Sequence, residues 1–309
     1  MAKLKRVSGF PVAEGVRLDV GKYTILSVRN AEKDISLRMR REPRRLSRAL
    51  ERIPFARGVA RLALDVARFF SGVSESAELD PQRPVKGTAP ERALCGVLKA
   101  HPQSFVAWTS GLLLILIALA CLYLAPQGVD YLLRARTALP RTAIRAIVCA
   151  LRICALYAGV YCVGRLRVFR RLLMYKGALN QALNCYECGE PLSAESAAEY
   201  PLMARRSEAA FLLGTLTISI VLFSLLPPQG AFSGALTRLG ILFGVAALFG
   251  EAHRMLEEAP LNGFVRALRA PMDWIQLMTT LAPHPQMMEV VVCAFEAALG
   301  ERRSEVKSD

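Results

Sequence analysis

Histidine, tryptophan and acidic side chains are what this chain has least of. Its 309 residues include three His, two Trp and 26 acids against 40 Lys and Arg. His101, His253 and His284 stand far apart, with no HExxH and no i, i+4 pair. A zinc site needs three or four well-placed ligands, so the usual histidine-based metal signatures are missing. A Gly-rich phosphate loop is absent, and so is a nucleophile elbow. No cofactor is therefore expected. The eight cysteines are scattered, and Cys121, Cys149, Cys154 and Cys162 fall in apolar runs. They read as small buried hydrophobes rather than a disulfide framework. After the basic residues 1–6, an apolar stretch is interrupted by Pro11, Glu14, Arg17 and Asp19. No secretory signal is expected, and the N-terminus is expected to stay in the cytoplasm.

What the chain has in excess is apolar residues and positive charge. Hydrophobic residues make up 53% and the formal net charge is +14. Soluble domains hold about 45–50% apolar residues even with glycine counted. The excess lies in long runs, which points to a bilayer. Two readings of the charge stay open: a positive-inside bias on anionic lipid, or contact with RNA such as a ribosome.

The pattern divides the chain into five parts. Residues 1–50 read as a β-rich cytoplasmic cap. Lys22 to Arg29 has strand composition, and Ile35 to Arg40 alternates apolar and cationic residues. Asn30 to Asp34 would be the turn of a hairpin. Residues 51–70 read as an amphipathic helix starting near Pro54. Phe55, Val59, Leu62, Val66 and Phe69 share one side of it, and Arg57, Arg61, Asp65 and Arg68 another. Such a helix would lie in the membrane interface or pack against the cap. Residues 71–104 read as a linker rich in Ser, Pro, Gly and charge.

Residues 105–250 hold four expected membrane segments, about 105–125, 142–164, 209–226 and 234–250. The last two sit near the lower limit of roughly 17 residues for a span. Trp108 and Tyr123 flank the first as interface anchors. The 165–208 loop carries Arg165, Arg167, Arg170, Arg171, Arg205 and Arg206, whereas 227–233 carries no charge. Both termini and that loop are therefore expected on the cytoplasmic side of a bacterial inner membrane. Residues 251–309 read as C-terminal cytoplasmic helices and a charged tail.

Four segments resemble the YqhQ-like family of bacterial membrane proteins, whose function is unresolved. Val12-Ala13-Glu14-Gly15-Val16 is similar to the family's AVMEGVMMRG segment, and Pro54-Phe55-Ala56-Arg57-Gly58-Val59 to its PFIRGV helix start. Leu192 to Tyr200 is similar to LTVEN…KY. Leu277 to Pro283 followed by Glu289-Val290 resembles LTTREP followed by EVAIAAL. The family's HGAEHK cluster, whose His and Glu side chains suit a metal, reads Lys176-Gly177-Ala178-Leu179-Asn180-Gln181 here. HPRCGT is replaced by Met203 to Glu208, without His or Cys, and the Arg and Glu of LTTREP by Leu281 and Ala282. The resemblance implies a divergent relative that keeps the scaffold and has lost the metal-type site.

Candidate site residues follow. Glu14, Lys176, Asn180, Gln181, Glu187, Thr279 and Thr280 come from the retained segments and would meet on the cytoplasmic side, as a site or as a polar joint. Cys185 and Cys188 form one CxxC, a weak metal or redox signal without a second pair. Arg152 lies mid-span, where a lone Arg costs at least about 2.5–3.5 kcal/mol, and is expected to face a partner.

The chain thus reads as a mainly α polytopic membrane protein with about four transmembrane helices and a composite cytoplasmic domain bearing a small β-rich N-terminal cap. The favoured role is a non-catalytic scaffold or partner-binding protein. Its partners would be the anionic bilayer, another membrane protein or further copies, or a ribosome. The alternatives are a metal-dependent membrane enzyme, as the family motif suggests, and a small-solute or lipid transporter around Arg152.

Overall fold

The computed structural model describes residues 7–12, 14–30, 32–41, 53–64, 67, 128–137, 139–165, 167–204, 207–226, 231–260 and 262–308. Four strands come first: β1 (Val7–Val12), β2 (Gly15–Val20), β3 (Tyr23–Arg29) and β4 (Ile35–Arg41). They form one antiparallel sheet in sequence order. The expected hairpin is present, with Arg29 opposite Ile35 and Asn30 N donating to Asp34 O at 2.8 Å. The cap is larger than a hairpin, because β1 and β2 extend it. Strand β2 alternates Val16, Leu18 and Val20 with Arg17 and Asp19 in sequence, yet is buried at every position. The alternation of β4 does not produce one covered face. As an edge strand it leaves Leu37 and Met39 exposed beside Arg38 and Arg40.

Among the described residues the helices are α1 (56–64), α2 (128–136), α3 (Arg141–Arg165), α4 (Arg167–Cys188), α5 (Ala194–Ala198), α6 (Glu208–Leu225), α7 (Ala231–Glu258), α8 (Gly263–Met278) and α9 (Pro285–Ser308). Local chemistry sets several ends. Ser207 accepts from Ala210 N to cap α6, with Glu208 in its first turn, and Asn262 accepts from Val265 N to cap α8. Helix α4 stops at Gly189, whose φ of 85° suits a helix C-terminus.

One core joins the sheet to α4, α5 and α9. Leu18 and Ile25 of the sheet meet Tyr175, Leu179 and Ala182 of α4, and Val290, Val291 and Phe295 of α9. Ser27 Oγ donates to Val290 O at 2.9 Å and ties β3 to α9. The segment 165–208, expected as a loop, is therefore mostly helix and forms a wall of this core.

Among the described residues, three helices are long and apolar enough to cross a membrane: Arg141–Cys162, Glu208–Leu225 and Ser233–Glu258. They correspond to the expected second, third and fourth spans. The expected first span, 105–125, and the linker 71–104 lie outside the described residues. The last helix is longer than expected, since it runs through Gly250 to Glu258. Each of the four hydroxyls in α6 (Thr215, Thr217, Ser219, Ser224) donates to the carbonyl four residues earlier, at 2.7–2.9 Å. A helix without water on its flanks needs this internal satisfaction.

Helix α1 packs against α7. Phe55, just before the helix, is exposed, Gly58 and Ala60 are buried, and Val59 and Leu62 are half-buried, while Val66 and Phe69 lie outside the described residues. Arg57 pairs with Glu251 of α7, and Glu251 also accepts from Phe55 N at 3.0 Å. Arg61 reaches Glu257 at 3.3 Å and lies 5.0 Å from the centre of the Phe211 ring. The cationic side is thus the contact side. A Cβ on Gly58 would stand 2.2 Å from Ala246 O, so only glycine allows this close crossing.

Candidate functional site

The polar residues of α4 are arranged as a row of anchors. Lys176, Asn180 and Gln181 are all buried, and helical spacing of three and four residues puts them, with Asn184, along one side of the helix. Asn180 Nδ2 donates to Leu202 O at 2.8 Å. Gln181 Nε2 donates to Ala198 O and Tyr200 O at 3.0 and 2.8 Å. Asn184 Nδ2 donates to Pro201 O and Met203 O at 2.8 and 2.9 Å. Together they supply donors to the carbonyls of 198–203, a stretch between α5 and α6 without ladder partners of its own. Buried carbonyls need such donors.

Lys176 closes the row at the other end. Its Nζ donates to Thr279 Oγ1 at 3.1 Å, and Thr279 Oγ1 donates on to Ile275 O at 3.0 Å. Burial of the ammonium lowers its pKa from 10.5 to about 8, and Glu208 opposes the shift. Here α4 and the 279–281 segment touch through backbone. Leu281 N donates to Leu173 O at 3.2 Å, and a Cβ on Gly177 would lie 2.1 Å from Leu281 O. Gln276 Oε1 accepts from Ala204 N at 3.1 Å and ties α8 to the same junction. Thr280 is buried beside it, and its Oγ1 has no hydrogen-bond partner among the described residues.

Lys176, Asn180, Gln181, Thr279 and Thr280 are therefore gathered where α4, the 198–204 segment and the end of α8 meet. Glu14 sits elsewhere: it occupies the β1–β2 turn with φ of 57° and pairs with Arg171, one turn before Lys176. Glu187 stays on the surface near the far end of α4. Cys185 is in the core with Sγ 3.6 Å from Ser196 Oγ, whereas Cys188 is exposed. Arg152 is half-buried, and its Nε has no hydrogen-bond partner among the described residues.

The donor set does not fit a metal ion. Lys176 brings a hydrogen-bond donor that is cationic below its pKa. Leu179 is aliphatic and packed in the core. The Asn180 and Gln181 amides are turned toward carbonyls through nitrogen. Among the described residues no three His, Cys, Asp or Glu side chains gather.

A second polar cluster went unseen in the sequence. His253 Nδ1 lies 2.9 Å from Glu257 Oε1, buried among the rings of Phe211 and Phe249, with Arg57–Glu251 one turn away. The i, i+4 spacings 57/61 and 253/257 were its available signal.

These features define a class: mainly helical proteins with a small N-terminal antiparallel sheet and helices of membrane-spanning length. The chain belongs to the family described as "Protein of unknown function (DUF1385)", which it matches over residues 53–301. It is similar to the uncharacterised protein YqhQ of Bacillus subtilis (strain 168), at 22% identity over 295 residues, 94% of this chain and 91% of that protein. The YqhQ-like resemblance of the retained segments thus holds over nearly the whole chain. No solved structure matches.

Proposed function

We propose that this chain is an integral membrane protein of the bacterial inner membrane, and that its sheet, α4 and α9 form a cytoplasmic partner-binding module without catalytic activity. The observation that carries this reading is the use made of the polar row. Asn180, Gln181 and Asn184 commit their amide donors to backbone carbonyls of the same chain, so they act as a joint between helices. The edge strand β4, where Leu37 and Met39 are exposed between arginines, has no second strand partner among the described residues. Such an edge offers main-chain groups to an added strand. The cationic side chains favour an acidic partner.

Photo-crosslinkers at positions 37 and 39, used in native membranes, test the proposal. A discrete protein adduct, recovered again on co-purification, is the expected result. A chain that crosslinks to nothing and always runs alone would refute it, and stoichiometric zinc, iron or manganese in the purified protein would revive the enzyme reading. The unpartnered Nε of Arg152 favours a second, narrower role, binding of an anionic group between the helices. Unchanged assembly and function in Arg152→Leu would remove that role.

A further inference from the structure

Helix α8 buries polar groups while it exposes large apolar ones. Its buried side carries Arg269 and Gln276, both satisfied within the protein, beside Val265 and Ile275. Arg269 donates to Leu256 O in the last turn of α7, and Gln276 accepts from Ala204 N. Its outward side carries Phe264, 72% exposed, with Leu268, Trp274 and Leu277. Arg266 is the one charge among them. On an aqueous surface these types occupy the opposite positions. Four large apolar side chains on one short helix also exceed the scattered exposure that an ordinary surface shows.

The neighbours of α8 fix its height. Ile275 packs with Ala210 and Leu213 of α6, and the Trp274 ring lies 5.4 Å from Tyr157 of α3. Tyr157 is eight residues from the Arg165 end of α3, and its hydroxyl lies 3.0 Å from Thr217 Oγ1, nine residues from the Glu208 end of α6. At about 1.5 Å per residue, both points lie roughly 12–14 Å along their helices from those ends. That is within one leaflet of a hydrocarbon layer about 30 Å thick. The neighbouring helices α3 and α6 likewise expose apolar side chains, among them Leu151 and Ile218.

We infer that α8 lies in the bilayer, within the leaflet on the side of the sheet module, with Phe264, Leu268, Trp274 and Leu277 against acyl chains. This rests on the membrane reading above and places in lipid a helix that the sequence assigns to the cytoplasm. Arg266 reaches outward to phosphate headgroups, as a long cationic side chain near an interface does. The far end of α8 carries Gln276 and Thr279, so the polar joint of the module is bolted to a helix held by lipid.

Trp108→Phe leaves Trp274 as the sole tryptophan of the full-length chain. Reconstituted into phosphatidylcholine–phosphatidylglycerol vesicles, this variant is expected to lose most of its Trp emission when the lipids carry brominated acyl chains, and little with aqueous iodide. Iodide quenching without bromolipid quenching, in protein that resists carbonate extraction, overturns the inference and leaves the membrane reading standing. Release by carbonate overturns the membrane reading itself. Quenching by neither agent means that protein covers the face, which also refutes the inference. If the variant does not fold, a bilayer-dissolved carbene photoprobe applied to the unmodified chain gives the same decision: labelling of 264–277 supports it, and absence of label there with labelling of α6 refutes it.

Discussion

The sheet module and the three long helices use the same apolar residue types in opposite ways. In the module, Leu18, Ile25, Tyr175, Val290 and Phe295 are sealed between β2, β3, α4 and α9. In the long helices only 11%, 33% and 22% of the most apolar windows are buried, and Leu225 and Leu248 project outward. The module holds its shape through its own core. The helices hold theirs through internal hydrogen bonds and need an apolar surround to cover the rest. The two regions should therefore answer different perturbations.

The largest expected contrast is between two deletions. Phe295→Ala removes a fully buried ring and should cost about 3–5 kcal/mol. Leu248→Ala, which deletes an outward side chain, should stay within about 0.5 kcal/mol in detergent. Thermal unfolding followed by circular dichroism compares them, and equal losses would break the contrast.

Next in size is a pH effect at the joint. The folded pKa of Lys176 is lowered to about 8 from 10.5. Between those values the unfolded chain holds the proton and the folded chain does not, so stability rises as pH climbs from about 8 to about 10.5. Below pH 8 the penalty of burying the ammonium is fully present, on the order of 3 kcal/mol. Lys176→Met should therefore be the more stable form at pH 7, with the gap closing toward pH 10.5. Denaturant titrations of both proteins across that range measure it. A gap independent of pH would show that the ammonium is not the cause.

Gly177→Val tests the backbone contact on the same helix. The new side chain must displace Leu281 O, and overpacking of this kind costs about 1–3 kcal/mol. The thermal midpoint should fall, with crosslinking at β4 reduced in step if the joint positions the module. The smallest effect is expected from Asn180→Ala. It removes one hydrogen bond to Leu202 O, worth about 0.5–1.5 kcal/mol, and should first appear as faster amide exchange around 200–204.

Legibility in the sequence followed the same divide. The long helices were readable because length and apolar content suffice to mark them. The β3–β4 hairpin was readable from strand composition and a polar turn. Helix α4 is legible only as part of the basic connection between two spans, because Lys176, Asn180, Gln181 and Asn184 interrupt its apolar pattern. Their partners are carbonyls of residues 198–203 and a threonine 103 positions away, which no local pattern reveals. Strand β2 does alternate Val16, Leu18 and Val20 with Arg17 and Asp19; what the sequence does not show is that Arg17 and Asp19 are themselves buried, 3.4 Å apart. The partner of helix α1 was not legible, since its arginines find acids on α7, 194 positions away for Arg57 and Glu251. The retained glycines were the better guide, because Gly58 and Gly177 mark sites where backbones nearly touch.

The contact between α1 and α7 also sets an order of events during synthesis. Arg57 and Glu251 are 194 residues apart. At about 5–20 residues per second, the ribosome takes roughly 10–40 s to travel from one to the other. Throughout that interval the first helix has been made and its acidic counterpart has not. The close approach of Gly58 and Gly250 can form only after α7 has emerged.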